Sequence, residues 1–356
     1  MKPAALRAAR LRAHRLNAPA ASISDAASHM LATQAQEFWG GRWALAARTR
    51  RDPRLSEVDA AFDRGEIVRS WTMRGTVHIV PPRDLGWVQA ITAERQLRQY
   101  AVVYRALGIE PSHIARAERA ARSALSGGNR VTRREFAEVL AGAGLDTTQA
   151  RAQHLLIALA IRSVILLGPV VPREGAPTNN QYVVLTEDWV TDAATPADPL
   201  AELYVRYLAA HAPAGPADFA WWTGLPLGVA RAAAEAAGDR VVEVAEGRYA
   251  VAGAEPRRSA SAPRVLALPP YEEVYLSYAD RTSVAAAEFT ATIGPSINGI
   301  VRPILVADGE VVGMWSHSVA ANRHALPPVP ELFAQREELA SDVDSALARF
   351  SRFITG

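Results

Sequence analysis

Gln34 and Gln36, separated by one small residue in Leu31-Ala32-Thr33-Gln34-Ala35-Gln36, are the side chains whose type and spacing most readily make a site. Two carboxamides form a compact set of hydrogen-bond donors and acceptors that cannot titrate. On a regular helix, residues two apart point to nearly opposite sides, so the amides converge only if the helix ends at this pair. Trp39-Gly40-Gly41 predicts such a stop before a second apolar run from Trp43 to Ala47. The plain alternative is two solvated glutamines on an amphipathic helix.

Other candidates are weaker. Arg69, Arg74 and Arg83 surround a predicted hairpin and either neutralise phosphates or form a solvated face. His78, beside Arg74 and Thr76, either meets a ligand or bonds backbone. His113, His154, His317 and His324 lie far apart without metal-ligand spacing. Trp221-Trp222 reads as core beside Phe219. Tyr271-Glu272-Glu273 and Asp280-Arg281 are acid–base groups or structural ion pairs. No dinucleotide fingerprint, phosphate-binding loop, zinc-protease motif or serine-nucleophile elbow is present. With no cysteine, disulfides, thiolate nucleophiles, iron–sulfur clusters and cysteine zinc sites are excluded. Neither a metal nor a cofactor is predicted.

The elements that must position these groups belong to a chain of 356 residues, long enough for several modules with real cores. Hydrophobic residues make up 49% and charged residues 21%, which is too apolar for a solvated tail. Net charge is +2 with a pI near 9.0, and the positive side is arginine apart from Lys2. Arginine's planar fork suits phosphate contacts, although a GC-rich genome would give the same arginine and alanine use. The basic N-terminus (Arg7, Arg10, Arg12, Arg15) lacks the apolar core of a signal peptide and reads as a first helix. Leu155 to Leu167 is interrupted by Arg162 and too short to span a bilayer, so no membrane segment is predicted, and the lack of cysteine makes the cytoplasm the expected compartment.

Along the chain, Ser24-Asp25 predicts the cap of a helix carrying Met30 and Leu31, and Ser56 the cap of another that Gly65 stops. Ile67 to Thr72 and Thr76 to Val80 predict a hairpin around Met73-Arg74-Gly75. Helices followed by a two-stranded ribbon are the makings of a winged helix-turn-helix. The pattern recurs. Helical segments Ile91–Leu107 and Pro111–Leu125 precede a Thr132-x-x-Glu135 capping box, a helix from Thr148 to Ile161, and strands Val164–Leu167 and Gln181–Leu185. A third copy runs through Leu203–Ala210, Pro216–Trp222, Leu227–Ala237, Val241–Val244 and Tyr249–Val251. Beyond a polar linker at Gly253–Pro263, strands are predicted at Val265–Leu268, Val274–Leu276 and the hairpin Ile304–Val306/Val311–Trp315, then a closing helix from about Pro330 to Phe353. The expected fold is α+β: three tandem winged helix-turn-helix units (1–107, 108–192, 193–255) and a C-terminal β domain (256–356) with a terminal helix.

Five stretches in register carry a resemblance: Thr33-Gln34-Ala35-Gln36; Trp71-Thr72-Met73-Arg74-Gly75-Thr76-Val77-His78; Asp218-Phe219-Ala220-Trp221-Trp222-Thr223-Gly224; Tyr271-Glu272-Glu273 with Tyr278-Ala279-Asp280-Arg281; and Asp308-Gly309-Glu310-Val311-Val312-Gly313. Over nearly its whole length the chain resembles the AlkZ-type winged-helix DNA glycosylases. The resemblance implies a C-shaped protein in which a C-terminal β-barrel holds three winged helices around a basic channel for duplex DNA. Such enzymes excise bulky N7-alkylguanines, and some unhook interstrand crosslinks made by antibiotics as producer self-resistance. The family's Gln, aliphatic residue, Gln pattern falls on Gln34, Ala35 and Gln36; Asp at the last position marks the related AlkX/YcaQ branch.

Taken with that resemblance, the chemistry of the pair becomes intelligible. An N7-alkylated guanine is already cationic and leaves as a neutral base, so little proton donation is needed. What remains is to hold a water near the anomeric carbon and to set amide oxygens where oxocarbenium charge develops. The expected activity is monofunctional N-glycosidic hydrolysis by Gln34 and Gln36, because strand cleavage through a Schiff base generally needs an amine and the chain offers only Lys2 and its own terminus. Arg69, Arg74, Thr76 and His78 are the expected DNA contacts. The expected partner is double-stranded DNA carrying alkylated purines, bound by a cytoplasmic, nucleoid-associated monomer. A non-catalytic winged-helix DNA-binding protein or transcription regulator is the alternative.

Overall fold

The computed structural model describes residues 1–254, 263–321 and 323–356; the predicted linker falls mainly on 255–262, outside the described residues. Helices and antiparallel strands alternate through two compact units. One comprises Met1–Val58, Glu174–Pro177 and Leu200–Gly356, and the other Asp59–Arg173 and Thr178–Pro199. No helix among the described residues is long and apolar enough to cross a membrane.

In the first unit the basic helix spans Pro3–Ala13. Ser22, rather than Ser24-Asp25, caps the next helix, Ile23–Met30, its hydroxyl accepting the Asp25 N–H at 3.1 Å. Leu31, at φ 62°, turns the chain out of that helix, and Thr33-Gln34 are extended. The expected stop at Gly40-Gly41 is not one, for both glycines lie inside the fully buried helix Phe38–Ala47. A Cβ on Gly40 would sit 3.0 Å from Pro270 Cδ and Cγ, so the residue permits close approach instead of ending the helix.

Trp39 and Trp43 of that helix meet the rings of Trp315, Phe350 and Phe353 at 5.0–5.9 Å between centroids. The indoles of Trp43 and Trp315 donate to the carbonyls of Ala267 and Leu268, each at 2.8 Å. These aromatic side chains tie the glutamine segment's following helix to a four-stranded antiparallel sheet ordered Val329–Leu332, Glu310–Ser316, Ile304–Ala307, Val265–Leu268. Two expectations fail here. Val274 to Leu276 belong to a four-residue helix, Glu273–Leu276, whose start Glu272 caps. The closing helix begins at Ala340, since Pro330 sits in an edge strand where its missing N–H costs no ladder bond. That helix, Ala340–Thr355, buries Val343, Leu347, Phe350 and Ile354 at helical spacing. The unit also holds helices Pro199–His211, Pro216–Thr223 and Leu227–Ala237 and the hairpin Val241–Ala245/Arg248–Val251.

The second unit packs helices Pro82–Ala106, Pro111–Leu125, Arg133–Gly142 and Arg151–Ile161 around strands ordered Thr76–Val80, Val68–Met73, Ile165–Val170, Gln181–Leu185. The first helix starts nine residues before the predicted Ile91 because Pro82 opens it at a position where a missing N–H is harmless. The capping box forms as expected: Thr132 Oγ1 accepts the Glu135 N–H at 3.2 Å and the Glu135 carboxylate accepts the Thr132 N–H at 2.7 Å. Trp71, Val77, Phe136, Leu140, Leu156 and Leu159 contribute to one continuous core.

Candidate active site

The glutamine pair is not helical. It occupies the stretch between helices Ile23–Met30 and Phe38–Ala47, with Gln34 buried at 7% exposure and Gln36 and Glu37 exposed. Gln34 closes the two-residue strand Thr33–Gln34 and Gln36 follows at a bend, so the helical spacing that would oppose the two amides does not apply. The Gln34 N–H donates to Glu273 Oε1 at 2.8 Å. Glu273 Oε2 accepts from Trp222 Nε1 at 3.2 Å and from the Ser277 hydroxyl, and His211 Nε2 lies 3.8 Å away. A carboxylate, acceptor-only, fits the Gln34, Trp222 and Ser277 donors, while His211 gives its Nδ1–H to Tyr207 O at 2.9 Å.

The neighbouring acid is differently employed. Glu272 takes the Arg48 guanidinium in an ion pair with both side chains at most 1% exposed, and accepts the Val274 N–H at 3.1 Å. Of the two readings of Tyr271-Glu272-Glu273, the structural ion pair therefore holds for Glu272. Asp280 and Arg281 do not pair with each other: Asp280 accepts the Thr282 N–H and hydroxyl at 2.9 and 2.7 Å, bonds that hold its carboxyl below the usual range. Arg281 lies over the rings of Trp221 and Tyr275, at 4.9 and 5.1 Å. Trp222 is core as expected, but Trp221 is 44% exposed, with its indole donating to Leu276 O at 2.8 Å.

Behind Glu273 lies a buried polar cluster that the sequence reading missed. Tyr278 donates its hydroxyl proton to His211 O at 2.9 Å, so His14 Nε2, 2.8 Å from the Tyr278 hydroxyl oxygen, must be the N–H donor to it. Arg10 stacks on Tyr278 at 3.5 Å and donates to Pro213 O and Ser283 Oγ at 3.2 and 2.9 Å. Burial, helped by His211, Arg48 and Arg10, holds His14 well below the ordinary histidine range, while burial pushes the Tyr278 phenol up against the pull of Arg10. Two consecutive acids inside an otherwise apolar run were the available signal that buried partners exist. Closer to the pair, Tyr271, with φ 59°, has its phenol raised by burial and by the Glu37 carboxylate.

The hairpin residues lie in the second unit and fall into two groups. Arg69 and His78 are buried, contrary to the picture of a solvated wing. Arg69 donates to Gln181 Oε1 at 3.4 Å, and the His78 Nδ1 is 2.9 Å from Thr72 Oγ1. The physical reason is that Val68–Met73 is flanked by strands on both sides and covered by the Pro82–Ala106 helix, whose Gln89 donates to Trp71 O at 3.0 Å. Arg74 and Thr76 instead stand half-buried at the turn. Arg74 and Gly75 take φ of 56° and 70°, as a two-residue hairpin turn demands, and Tyr100 and Gln96 bond the Gly75 carbonyl and amide at 2.9 and 3.3 Å. No cluster of three or more His, Asp or Glu spaced for a metal ion occurs among the described residues.

Comparison with known proteins gives these features their class. The profile of the AlkZ-like DNA glycosylases matches residues 27–353, and the chain belongs to that family and is a DNA glycosylase. Among solved structures, Streptomyces sahachiroi DNA glycosylase AlkZ superposes with a TM-score of 0.78 at 21% identity, covering 99% of this chain and 98% of its own. No curated protein matches the chain. Family membership sets aside the non-catalytic regulator as a reading of the whole chain.

Proposed function

We propose that this glycosylase excises cationic N7-alkylguanine-type lesions from duplex DNA, bulky adducts and interstrand crosslinks included, with Gln34 and Gln36 as its catalytic residues. One carboxamide orients the attacking water and the other contacts the sugar as oxocarbenium charge develops. Neither needs to titrate, because the departing purine is already positively charged. Arg74 and Thr76 at the hairpin turn contact the DNA backbone, with Arg69 and His78 supporting that ribbon from within. The helix-and-hairpin units act as winged helices and the C-terminal sheet as a barrel-like domain. The observation that carries the reading is the glutamine pair itself, in the non-helical segment 31–37 of the family-matched region, with the Gln34 N–H bonded to a buried carboxylate.

The test is a panel of alkylated duplexes. Gln34→Ala and Gln36→Ala should each lower release of N7-methylguanine by about 10²-fold, the usual loss for a preorganised polar contact, with duplex affinity retained. Glu37→Gln should leave release intact; its loss would transfer the chemistry to that acid. The product is an abasic site with the strand unbroken, and borohydride should trap no covalent adduct, Lys2 being the only lysine.

A further inference from the structure

Glu273 is 1% exposed and opens a helix only four residues long, yet it gathers donors from three separate parts of the chain. Its two oxygens divide the work. Oε1 faces the Gln34 peptide N–H, whereas Oε2 faces Trp222 Nε1 and Ser277 Oγ, with the His211 imidazole 3.8 Å off, stacked flat on Tyr207 at 4.7 Å. Glu272, next door, meets Arg48 and so has a sufficient structural reason to be charged. Glu273 has a different use for its charge: a hydrogen bond to an ionised acceptor is shorter and about twice as strong as a neutral one. The peptide it grips carries the first glutamine of the pair. A rotation of that peptide would swing the Gln34 side chain away from the reacting carbon, and a displacement of about 1 Å costs about 10²-fold in rate.

We infer that Glu273 is the positioning residue of the glutamine pair: its buried carboxylate, by fixing the Gln34 peptide against the Trp222 and Ser277 donors, holds the carboxamides in their working geometry. This rests on the reading of Gln34 as catalytic. It acts through charge and not bulk, which makes it separable from a packing role. An amide at the same place has a single acceptor oxygen, so either the Gln34 N–H or the Trp222 indole must face an NH2.

The experiment uses the full chain, an N7-methylguanine duplex, single-turnover excision and a separate measurement of duplex affinity. Glu273→Gln should slow excision by about 10- to 100-fold while affinity stays within about twofold. Adding Trp222→Phe removes the competing donor, lets the amide oxygen return to the Gln34 N–H and its NH2 turn to the Ser277 hydroxyl. The double variant should therefore excise about tenfold faster than Glu273→Gln alone, whereas two lesions in a merely structural core would compound. Parent-like excision by Glu273→Gln overturns the proposal, as does a double variant no better than the single one. Gln34→Ala run in parallel separates the two levels: if it excises normally the pair is not catalytic, but if it is inactive while Glu273→Gln is normal only the positioning role falls. Should the variants not fold, hydrogen exchange in the parent decides, since a Gln34 amide held as described exchanges slowly and rapid exchange refutes the grip.

Discussion

At the scale of single residues, the adjacent acids show how one motif serves two ends. The Arg48–Glu272 pair is shut away from water, with side-chain exposures of 0% and 1%, while Arg134–Glu138, a geometrically good pair at 3.0 Å, stands at 80% and 62%. Solvent screens the second to near irrelevance, but removing one partner of the first strands a charge inside the protein. Arg48→Met should thus destabilise by about 3–5 kcal/mol in urea unfolding, and joining Glu272→Gln to it should recover much of the loss. If Arg48→Met matched Arg134→Met in its effect, the buried pair would carry no such penalty. These residue types were readable in the sequence, as was the likeness of Gln34-Ala35-Gln36 to a family motif. Their partners were not, because Gln34 meets Glu273, and Arg48 meets Glu272, only after more than two hundred intervening residues have folded.

At the scale of elements, local signals succeeded where the local energy is decisive and failed where tertiary packing overrides it. The Thr132 capping box, the Pro111–Leu125 helix and the Arg74-Gly75 turn are short-range devices, and each forms where its residues predict. Gly40-Gly41 and Val274-Tyr275-Leu276 are the counterexamples. Propensity favours a break at the first and a strand at the second, yet close packing on Pro270 demands the glycine, and the Glu272 cap starts a helical turn. Gly40→Val tests this directly. Its added carbons have nowhere to go between the Phe38–Ala47 helix and Pro270, so overpacking should cost about 1–3 kcal/mol. Because Gln36 lies two residues before Phe38, excision should fall as well, even under conditions where circular dichroism shows the chain folded. A variant with normal stability and normal excision would mean that the helix moves without consequence for the pair.

At the scale of the whole molecule, pH should separate stability from chemistry. Burial lowers the affinity for protons of His14, of His154 and of His317, the last to about 4 with help from His324. A histidine whose folded value is depressed contributes stability that is complete above its unfolded value of about 6.5, and that contribution is lost as pH falls towards the folded value, since the unfolded chain then binds the extra protons. His14 counts most, being sealed beside Arg10 and Arg48, while solvent reaching His154 and His317 discounts theirs. The thermal midpoint should therefore drop steadily from about pH 6.5 to about pH 4.5. His317→Phe, placed against Phe350 at 4.8 Å, should flatten that slope by less than one proton's worth over the same window. Carboxamides have no proton to lose in this range. Single-turnover excision by protein that is still folded should accordingly be level between about pH 6 and 8.5, with losses in acid tracking unfolding instead of a titration. A bell-shaped excision profile in folded enzyme would instead point to a titrating acid or base, with Glu37 the first to replace.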